Sequence, residues 1–416
     1  MTNSFASNWL SLDAALNTAY SSLTPITDAI TLTIDDALGF VLADDIVAPV
    51  DVPPADNSAM DGYAVYASDT NQLTPLTVVG SQFAGMASNA AVLQKGTAIR
   101  IMTGALIPSG ADCVVMQENT TLEGDTVTVN KPALVGENIR RAGNDIRANT
   151  VVINKGTLLS ASHLVLLASM GIHHVSVFRP LNVGLMATGD ELKEAGETLS
   201  SGQIYESNRT GSRALLAHLP VNITDFGIVP DNKDALKKVL SNAAKSQDLL
   251  ISSGGVSVGD ADFVKDMVAS LGQINFWKIA IKPGKPFAFG RLGKCIFCGV
   301  PGNPVSAFVT TQQIVLPIIK KMIGTACDKP IRQMTIQATL TAPINRKAGR
   351  EEFLRSVLTQ DPNGDCFVSP LPKQSSGVMT TVTQANSYLI IPADVASLEK
   401  GSTVTVQPFS LFPYIE

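Results

Sequence analysis

The hydrophobic positions of this chain change their period several times. Over 10–22 (LSLDAALNTAYSS) and 34–45 (IDDALGFVLADD), apolar residues recur at three- and four-residue spacing, which predicts two amphipathic helices. A proline-rich break, APVDVPPADNS, follows. From about 63 to 130 the pattern shortens to strand-like runs: YAVYA, TPLTVVG, TAIRIM, DCVVMQE and DTVTVN. Glycine and asparagine separate them, which predicts a small all-β domain. A glycine- and arginine-rich connector, VGENIRRAGNDIR, leads to SASHLVLLASMG. That segment reads as a helix with Ser160 as N-cap and Gly171 at its end.

From 181 onward strands and helices alternate. LNVGLMAT precedes a helix in NRTGSRALLAHL, ITDFGIV precedes KDALKKVLSNAAKS, and DLLISS precedes GGVSVGD and a helix in ADFVKDMVASLG. INFWKIAI, KPFAFGRL and KCIFCGV read as further strands, the last running through PGNP into a long helix, VSAFVTTQQIVLPIIKKMIG. This alternation predicts an α/β domain with a doubly wound, mostly parallel sheet. Beyond Pro330 only strand patterns remain (MTIQATLTAP, EEFLRSVLT, CFVSPLP, SYLIIPA, STVTVQPF), which predicts a small closing β-barrel.

Composition narrows the function classes. With 416 residues the chain has length for two to four domains, and with 45% hydrophobic residues it can fill their cores. Charged residues make up 16%, against roughly 25% in an average domain, so extended disorder is not expected. The net charge of −5 gives no basic excess for nucleic acid or anionic lipid. Five scattered cysteines do not suit a disulfide framework. Cys295 and Cys298 have CxxC spacing, but no second pair or nearby histidine completes a zinc site, so core packing is the preferred reading. The first residues lack the basic and apolar regions of a signal peptide, and no apolar run reaches the ~18 residues of a membrane span. The expectation is a cytoplasmic protein. None of the four histidines has HExxH spacing, which argues against a zinc hydrolase.

In an open parallel sheet, ligands bind where strands end at their carboxyl side. Three loops leave such ends: ATGDEL (187–192), SSGGVSVGDAD (252–262) and GVPGNP (299–304). Backbone N–H groups at Ser253, Gly254 and Gly255 suit a phosphate. So does the helix start at Pro301, Gly302, Asn303 and Pro304, with Asn303 as N-cap. Ordinary tight turns are the alternative. In WKIAIKPGKP, Lys278, Lys282 and Lys285 offer cations for an oxyanion or form a solvated cluster. Lys278 and Lys282 share parity, so on one extended strand they would face the same way. Acids gather in loops: Asp56, Asp61, Asp145, Asp190, Glu191, Asp231, Asp260 and Asp262. Taken singly, each is a turn former or cap, and Asp260 suits the cap of the helix that follows. Beside an anion loop, however, such acids fit Mg²⁺, which binds through one or two carboxylates plus substrate phosphates. Arg140, Arg141, Arg147, Arg350 and Arg355 carry guanidinium forks of the right geometry for phosphate, although taken singly each reads better as surface charge.

Taken in order, PPADNSAMDGYAV, RIMTGALIPSGADCVVMQE, NIRRAGNDIR, TGDEL, SGGVSVGDAD, KPGKP and GVPGNPVS resemble the molybdenum insertases. These are the bacterial MoeA molybdopterin molybdenumtransferases and the gephyrin E domain, and the resemblance spans nearly the whole chain. It implies an elongated homodimer whose subunit has four domains. These are an N-terminal/linker domain (1–48 with 147–180), a β-rich domain (49–146) completing the partner's active site, a molybdopterin-binding α/β domain (181–329) and a C-terminal β-barrel (330–416). It implies an enzyme that inserts molybdate into adenylylated molybdopterin, with Mg²⁺-dependent hydrolysis releasing AMP and molybdenum cofactor. By motif match, the functional residues are Asp61, Thr103 and Asp145 on the β-rich side. On the α/β side they are Glu191, Asp231, Asp262, Lys278, Lys282, Pro301 and Pro304. In this assignment Glu191, Asp231 and Asp262 hold Mg²⁺ or position the attacking oxygen. Lys278 and Lys282 bind phosphate or molybdate, and Arg355, with Arg350 as the second choice, adds an anion contact. Transient partners would be the molybdopterin adenylyltransferase and molybdoenzyme-maturation proteins. Many relatives carry an acid where this chain has Asn144. An adenylyltransferase or nucleotide pyrophosphatase on the same fold, or a non-catalytic scaffold, are the alternatives.

Overall fold

The computed structural model describes residues 9–86, 92–255, 272–327, 329–330 and 332–409. The chain forms two compact units. One is drawn from Met1–Ile30, Gly39–Ala43 and Val177–Glu416, the other from Thr31–Leu38 and Asp44–Ser176.

The first unit is built on a seven-stranded sheet. Its order is Trp9–Leu10, Gln273–Ile279, Pro286–Leu292, Cys295–Val300, Leu249–Ser253, Leu181–Thr188 and Val221–Val229. The last four are mutually parallel. Gln273–Ile279, Pro286–Leu292 and Cys295–Val300 instead form an antiparallel meander. Only Gly293 and Lys294 separate Pro286–Leu292 from Cys295–Val300, too few residues for a parallel crossover. The sheet is covered on both faces, so its strands alternate between two cores rather than between core and water. Leu249 and Ile251 enter one cluster, with Leu12, Leu16 and Val305, while Leu250 enters the other, with Leu236 and Leu240.

The same alternation settles the CxxC pair. Cys295 lies in one cluster and Cys298 in the other, so the two thiols sit on opposite faces of their strand and cannot share a metal. Burial pushes the Cys295 thiol up to about 12 and raises that of Cys298 as well.

Helix Leu12–Ser22 forms as expected, the Ser11 hydroxyl accepting from Ala14 N–H at 3.1 Å. The helix predicted over 34–45 does not form. A single 3₁₀ turn, Ile34–Asp36, is all that appears, and Gly39 then takes φ +78°, which ends any right-handed continuation. The long helix occupies 304–322 with a widened π turn, Thr311–Val315, in its middle. The helix expected at ADFVKDMVASLG, with Asp260 and Asp262, lies outside the described residues.

Toward the C-terminus five strands close on themselves. Glu351–Gln360, Cys366–Pro370, Ile336–Leu340, Thr403–Pro408 and Ser387–Ile391 form a ring in that order, the last pairing back to the first. A two-residue strand, Ile281–Lys282, joins this barrel by pairing parallel to Glu351–Glu352. In the second unit the expected strands assemble into a six-stranded sheet: Cys113–Met116, Gly62–Val65, Thr97–Ile101, Leu76–Gln82, Thr126–Val129 and Thr120–Glu123. Helix Ala161–Ser169 is capped by Ser160, whose backbone N–H donates to the His163 ring, and Gly171 follows at φ +72°. Among the described residues no helix is long and apolar enough to cross a membrane.

Candidate functional site

Leu181–Thr188, Leu249–Ser253 and Cys295–Val300 are adjacent and parallel, so their carboxyl ends emerge side by side. Around those ends the first unit has a cleft of about 920 Å³. Its floor is three turns: Thr188, Gly189 and Glu191; Ser253, Gly254 and Gly255; Pro301, Gly302 and Asn303. Asp231, just past Val221–Val229, adds a further acid. The opposite wall comes from Lys282, Lys285, Arg350 and the segment Gln374, Ser375 and Ser376. Gly254 is a requirement of this close approach. It holds φ +85°, and a Cβ there would fall 2.5 Å from the Thr188 carbonyl oxygen.

Polar bonding in the floor differs in detail from the sequence expectation. The Gly254 N–H donates to the Val300 carbonyl at 3.3 Å. Strand pairing thus continues one residue past Ser253, and this amide is directed at its neighbour rather than at the cleft. Asn303 occupies the N-cap position, but its side chain makes no capping bond and instead lines the cleft. Pro304 is the first helical residue and is not part of the lining. Asn208, at the start of helix Asn208–Leu216, ties two turns together. Its Nδ2 donates to Ser253 Oγ at 2.6 Å and to the Gly302 carbonyl at 2.8 Å. Behind it, buried Arg209 is bound by Glu206, Glu194 and Asp225.

The cleft carries both signs of charge. Burial raises the Asp231 carboxyl above its ordinary 3.8, and the neighbouring Asp190 and Glu191 raise it further. Asp190 Oδ1 also accepts from the Asp231 N–H at 3.2 Å. Lys282 is ion-paired with Glu352, which also binds Arg346 at 3.0 Å. Lys285 lies over the Trp9 ring, 4.8 Å from its centre.

Two cations are not where the sequence suggested. Lys278 is exposed on Gln273–Ile279 and does not line the cleft. Its shared parity with Lys282 carries no meaning, because the chain leaves the main sheet at Ala280 and Lys282 belongs to the barrel. Arg350 lines the cleft, whereas Arg355 is 1% exposed. Leu354 fills the barrel core, so Arg355, the next residue along the strand, faces the other way. Its Nε donates to Thr381 Oγ1 and its Nη2 to the Ser375 carbonyl, both at 3.2 Å. Arg355 therefore supports the Gln374–Ser376 wall from behind.

In the second unit Asp61 and Thr103 are in contact. The Asp61 Oδ1 accepts from the Thr103 N–H at 2.7 Å and its hydroxyl at 2.8 Å. The register Gly62↔Ile101 brings the two strand ends together. These bonds hold the exposed Asp61 carboxyl below its ordinary 3.8. Asp145 is exposed in a separate hollow of about 490 Å³, beside Asn144 and Arg147.

The structure thus gathers Glu191, Asp231, Ser253, Gly254, Gly255, Lys282, Lys285, Pro301, Gly302 and Asn303 around one cleft. Asp262 lies outside the described residues. Sequence reading missed Asn208 and Gln374–Ser376, whereas Thr188 lies in the ATGDEL loop that it singled out. An asparagine opening a helix beside a strand end is a usable signal for the first, while KQSSG is a polar loop with no distinguishing mark. Among the described residues no three His, Cys, Asp or Glu side chains are arranged to hold a metal. Glu191 and Asp231 do offer two hard oxygen donors, and the repulsion raising Asp231 is what a cation would relieve.

Three family models match successive parts of the chain. The MoeA N-terminal region (domain I and II) matches residues 10–171, a probable molybdopterin binding domain 184–321, and the MoeA C-terminal region (domain IV) 337–409. A molybdopterin molybdenumtransferase of Haemophilus influenzae is 42% identical over 402 residues, covering 96% of this chain and 99% of that protein. A molybdopterin molybdenumtransferase 2 of Mycobacterium tuberculosis is 34% identical over 388 residues, covering 91% and 94%. The crystal structure of a molybdopterin biosynthesis moeA protein from Pyrococcus horikoshii OT3 superposes with a TM-score of 0.83 at 30% identity, covering 96% of this chain and all of that one. With identity at this level over nearly its whole length, the chain belongs to the MoeA family of molybdopterin molybdenumtransferases.

Proposed function

We propose that this protein is the transferase that inserts molybdate into adenylylated molybdopterin, releasing AMP and molybdenum cofactor. One observation carries the reading. A single cleft at the carboxyl ends of the parallel strands pairs Lys282, Lys285 and Arg350 with Glu191 and Asp231. A pyrophosphate substrate and a second oxyanion need that combination, since phosphoryl cleavage rests on positioning and charge neutralisation.

Lys285 and Arg350 bind the oxyanions, with Lys282 oriented by Glu352 at the rim. Glu191 and Asp231 hold Mg²⁺ or place the attacking oxygen, with Asp262 as the third acid by family motif. When bound, Mg²⁺ supplies charge neutralisation at the pyrophosphate. The protein works as a homodimer in which residues 49–146, with Asp61, Thr103 and Asp145, complete the cleft of the partner subunit. It acts in the cytoplasm, receiving its substrate from the molybdopterin adenylyltransferase and passing cofactor to molybdoenzyme-maturation proteins.

The test is incubation of the purified chain with adenylylated molybdopterin, Mg²⁺ and molybdate. AMP release should require molybdate, and AMP release that ignores molybdate sinks the reading. Asp262→Ala should abolish cofactor formation with the fold intact. For the dimer arrangement, mixing inactive Asp61→Asn and Asp231→Asn subunits should restore part of the activity, because one of the two clefts is then whole. No recovery on mixing refutes the shared cleft.

A further inference from the structure

Asn208 has no assigned role in the reading above, yet it makes the bonds that join two turns of the cleft floor. Its side-chain amide has two N–H groups, and both are used: one on Ser253 Oγ at 2.6 Å, one on the Gly302 carbonyl at 2.8 Å. The Gly302 oxygen is only an acceptor, so the nitrogen end of the amide must face it. Ser253 Oγ therefore accepts as well, and its own hydrogen is left to point elsewhere. Ser253 is 5% exposed and lines the cleft, as do Asn208 and Gly302. The next amide in the turn, Gly254 N–H, is already directed at Val300.

Asn208 is itself held firmly. Its backbone N–H donates to Glu206 Oε1 at 2.7 Å, and Glu206 is buried against Arg209. The residue is thus fixed at both ends before any ligand arrives.

We infer that Asn208 is a positioning residue that, braced on the Gly302 carbonyl, fixes Ser253 as a hydroxyl donor to an oxyanion in the cleft. The inference rests on the cleft being an oxyanion site, as proposed above. It also moves the donor function at this turn from the Gly254 backbone amide to a side chain. The bound oxyanion is a phosphate group of the substrate or molybdate, which share tetrahedral oxygen acceptors.

The test is a double-mutant cycle read by calorimetry on the full chain, with inorganic pyrophosphate and molybdate as separate probes. Ser253→Ala and Asn208→Ala should each weaken binding of at least one probe roughly tenfold or more, the loss expected for a hydrogen bond to a charged group. The double variant should bind no more than about twofold worse than Ser253→Ala, because without the hydroxyl there is nothing left to orient. The probe that responds names the oxyanion. If Asn208→Ala folds poorly, Asn208→Ser replaces it, since serine suits the start of a helix but is too short to reach both partners. Additive losses in the double variant overturn the inference. So does a lowered melting temperature with unchanged affinity for both probes, and so does a wild-type chain that binds neither. A wild-type chain that shows the coupling but no molybdate-dependent AMP release supports the inference and overturns the functional reading instead.

Discussion

Lys282 and Glu352 form an ion pair in which the two partners are buried to very different extents, the lysine side chain being 45% exposed and the glutamate 4%. Glu352 also binds Arg346, whose side chain is 7% exposed. Removing the lysine leaves Glu352 still paired, so Lys282→Ala should cost under about 1 kcal/mol, typical of an exposed pair. Removing the glutamate leaves the buried Arg346 guanidinium on the Pro392, Ala393 and Val395 carbonyls with no counter-charge, so Glu352→Ala should cost roughly 3 kcal/mol or more. Urea unfolding of both variants checks the asymmetry, and Lys282→Ala should still lose at least tenfold in cofactor formation. Equal stability losses would show that the pair is not organised from the Glu352 side.

Asp231 gives a pH signature. Its folded-state carboxyl is raised above 3.8 by burial and by Asp190 and Glu191. A raised acid favours the protonated fold, so this contribution to stability is full below 3.8 and lost as pH rises through the higher folded value. Near neutral pH a cation offsets the repulsion. Mg²⁺ should therefore raise the melting temperature more at pH 7 than at pH 4, and Asp231→Asn should abolish most of that difference. A Mg²⁺ effect of equal size at both pH values argues against Asp231 as a ligand.

Asp61 shows the opposite sign. The Thr103 bonds lower its carboxyl below 3.8, so their contribution is full above that value and fades as pH falls through the lower folded one. Thr103→Ala removes the hydroxyl and leaves the N–H, so the Asp61 titration should move upward without reaching the free value. Carboxyl NMR reads this directly, and an unmoved titration would mean that the hydroxyl contributes nothing, leaving the Thr103 N–H and the Arg100 charge to hold Asp61 down.

Arg350 and Arg355 should separate cleanly. Arg350→Ala should weaken binding of pyrophosphate or molybdate with little change in stability. Arg355→Ala empties a buried site and releases Ser375, so it should destabilise by about 2–5 kcal/mol, in the range of large core truncations. Denaturation midpoints set beside calorimetric affinities test the division, and the reverse pattern would exchange the two roles.

The sequence was legible where local chemistry alone decides conformation. The turn at Gly254 was readable because its left-handed backbone and its contact with Thr188 admit only glycine. Ser160 and Gly171 marked their helix by caps whose bonds lie within a few residues. Reading failed where a distant partner decides. Nothing in WKIAIKPGKP reveals that the strand stops at Ala280 and that Lys282 pairs with Glu352, seventy positions later. Nothing near Arg355 shows that its neighbour Leu354 claims the barrel core. The apolar spacing of 34–45 was genuine, but Gly39 outweighed it.

The two-residue strand Ile281–Lys282 has an architectural consequence. It belongs by chain order to the α/β segment and by hydrogen bonding to the barrel. The barrel therefore cannot be treated as a detachable appendage. A chain cut after the long helix would keep the glycine turns and both acids, yet lose Arg350, Gln374–Ser376 and the partner that seats Lys282. Grafting the barrel of a relative onto this sheet would import half of the recognition surface with it. Inheritance of substrate preference in such chimaeras should follow the C-terminal segment as much as the central one.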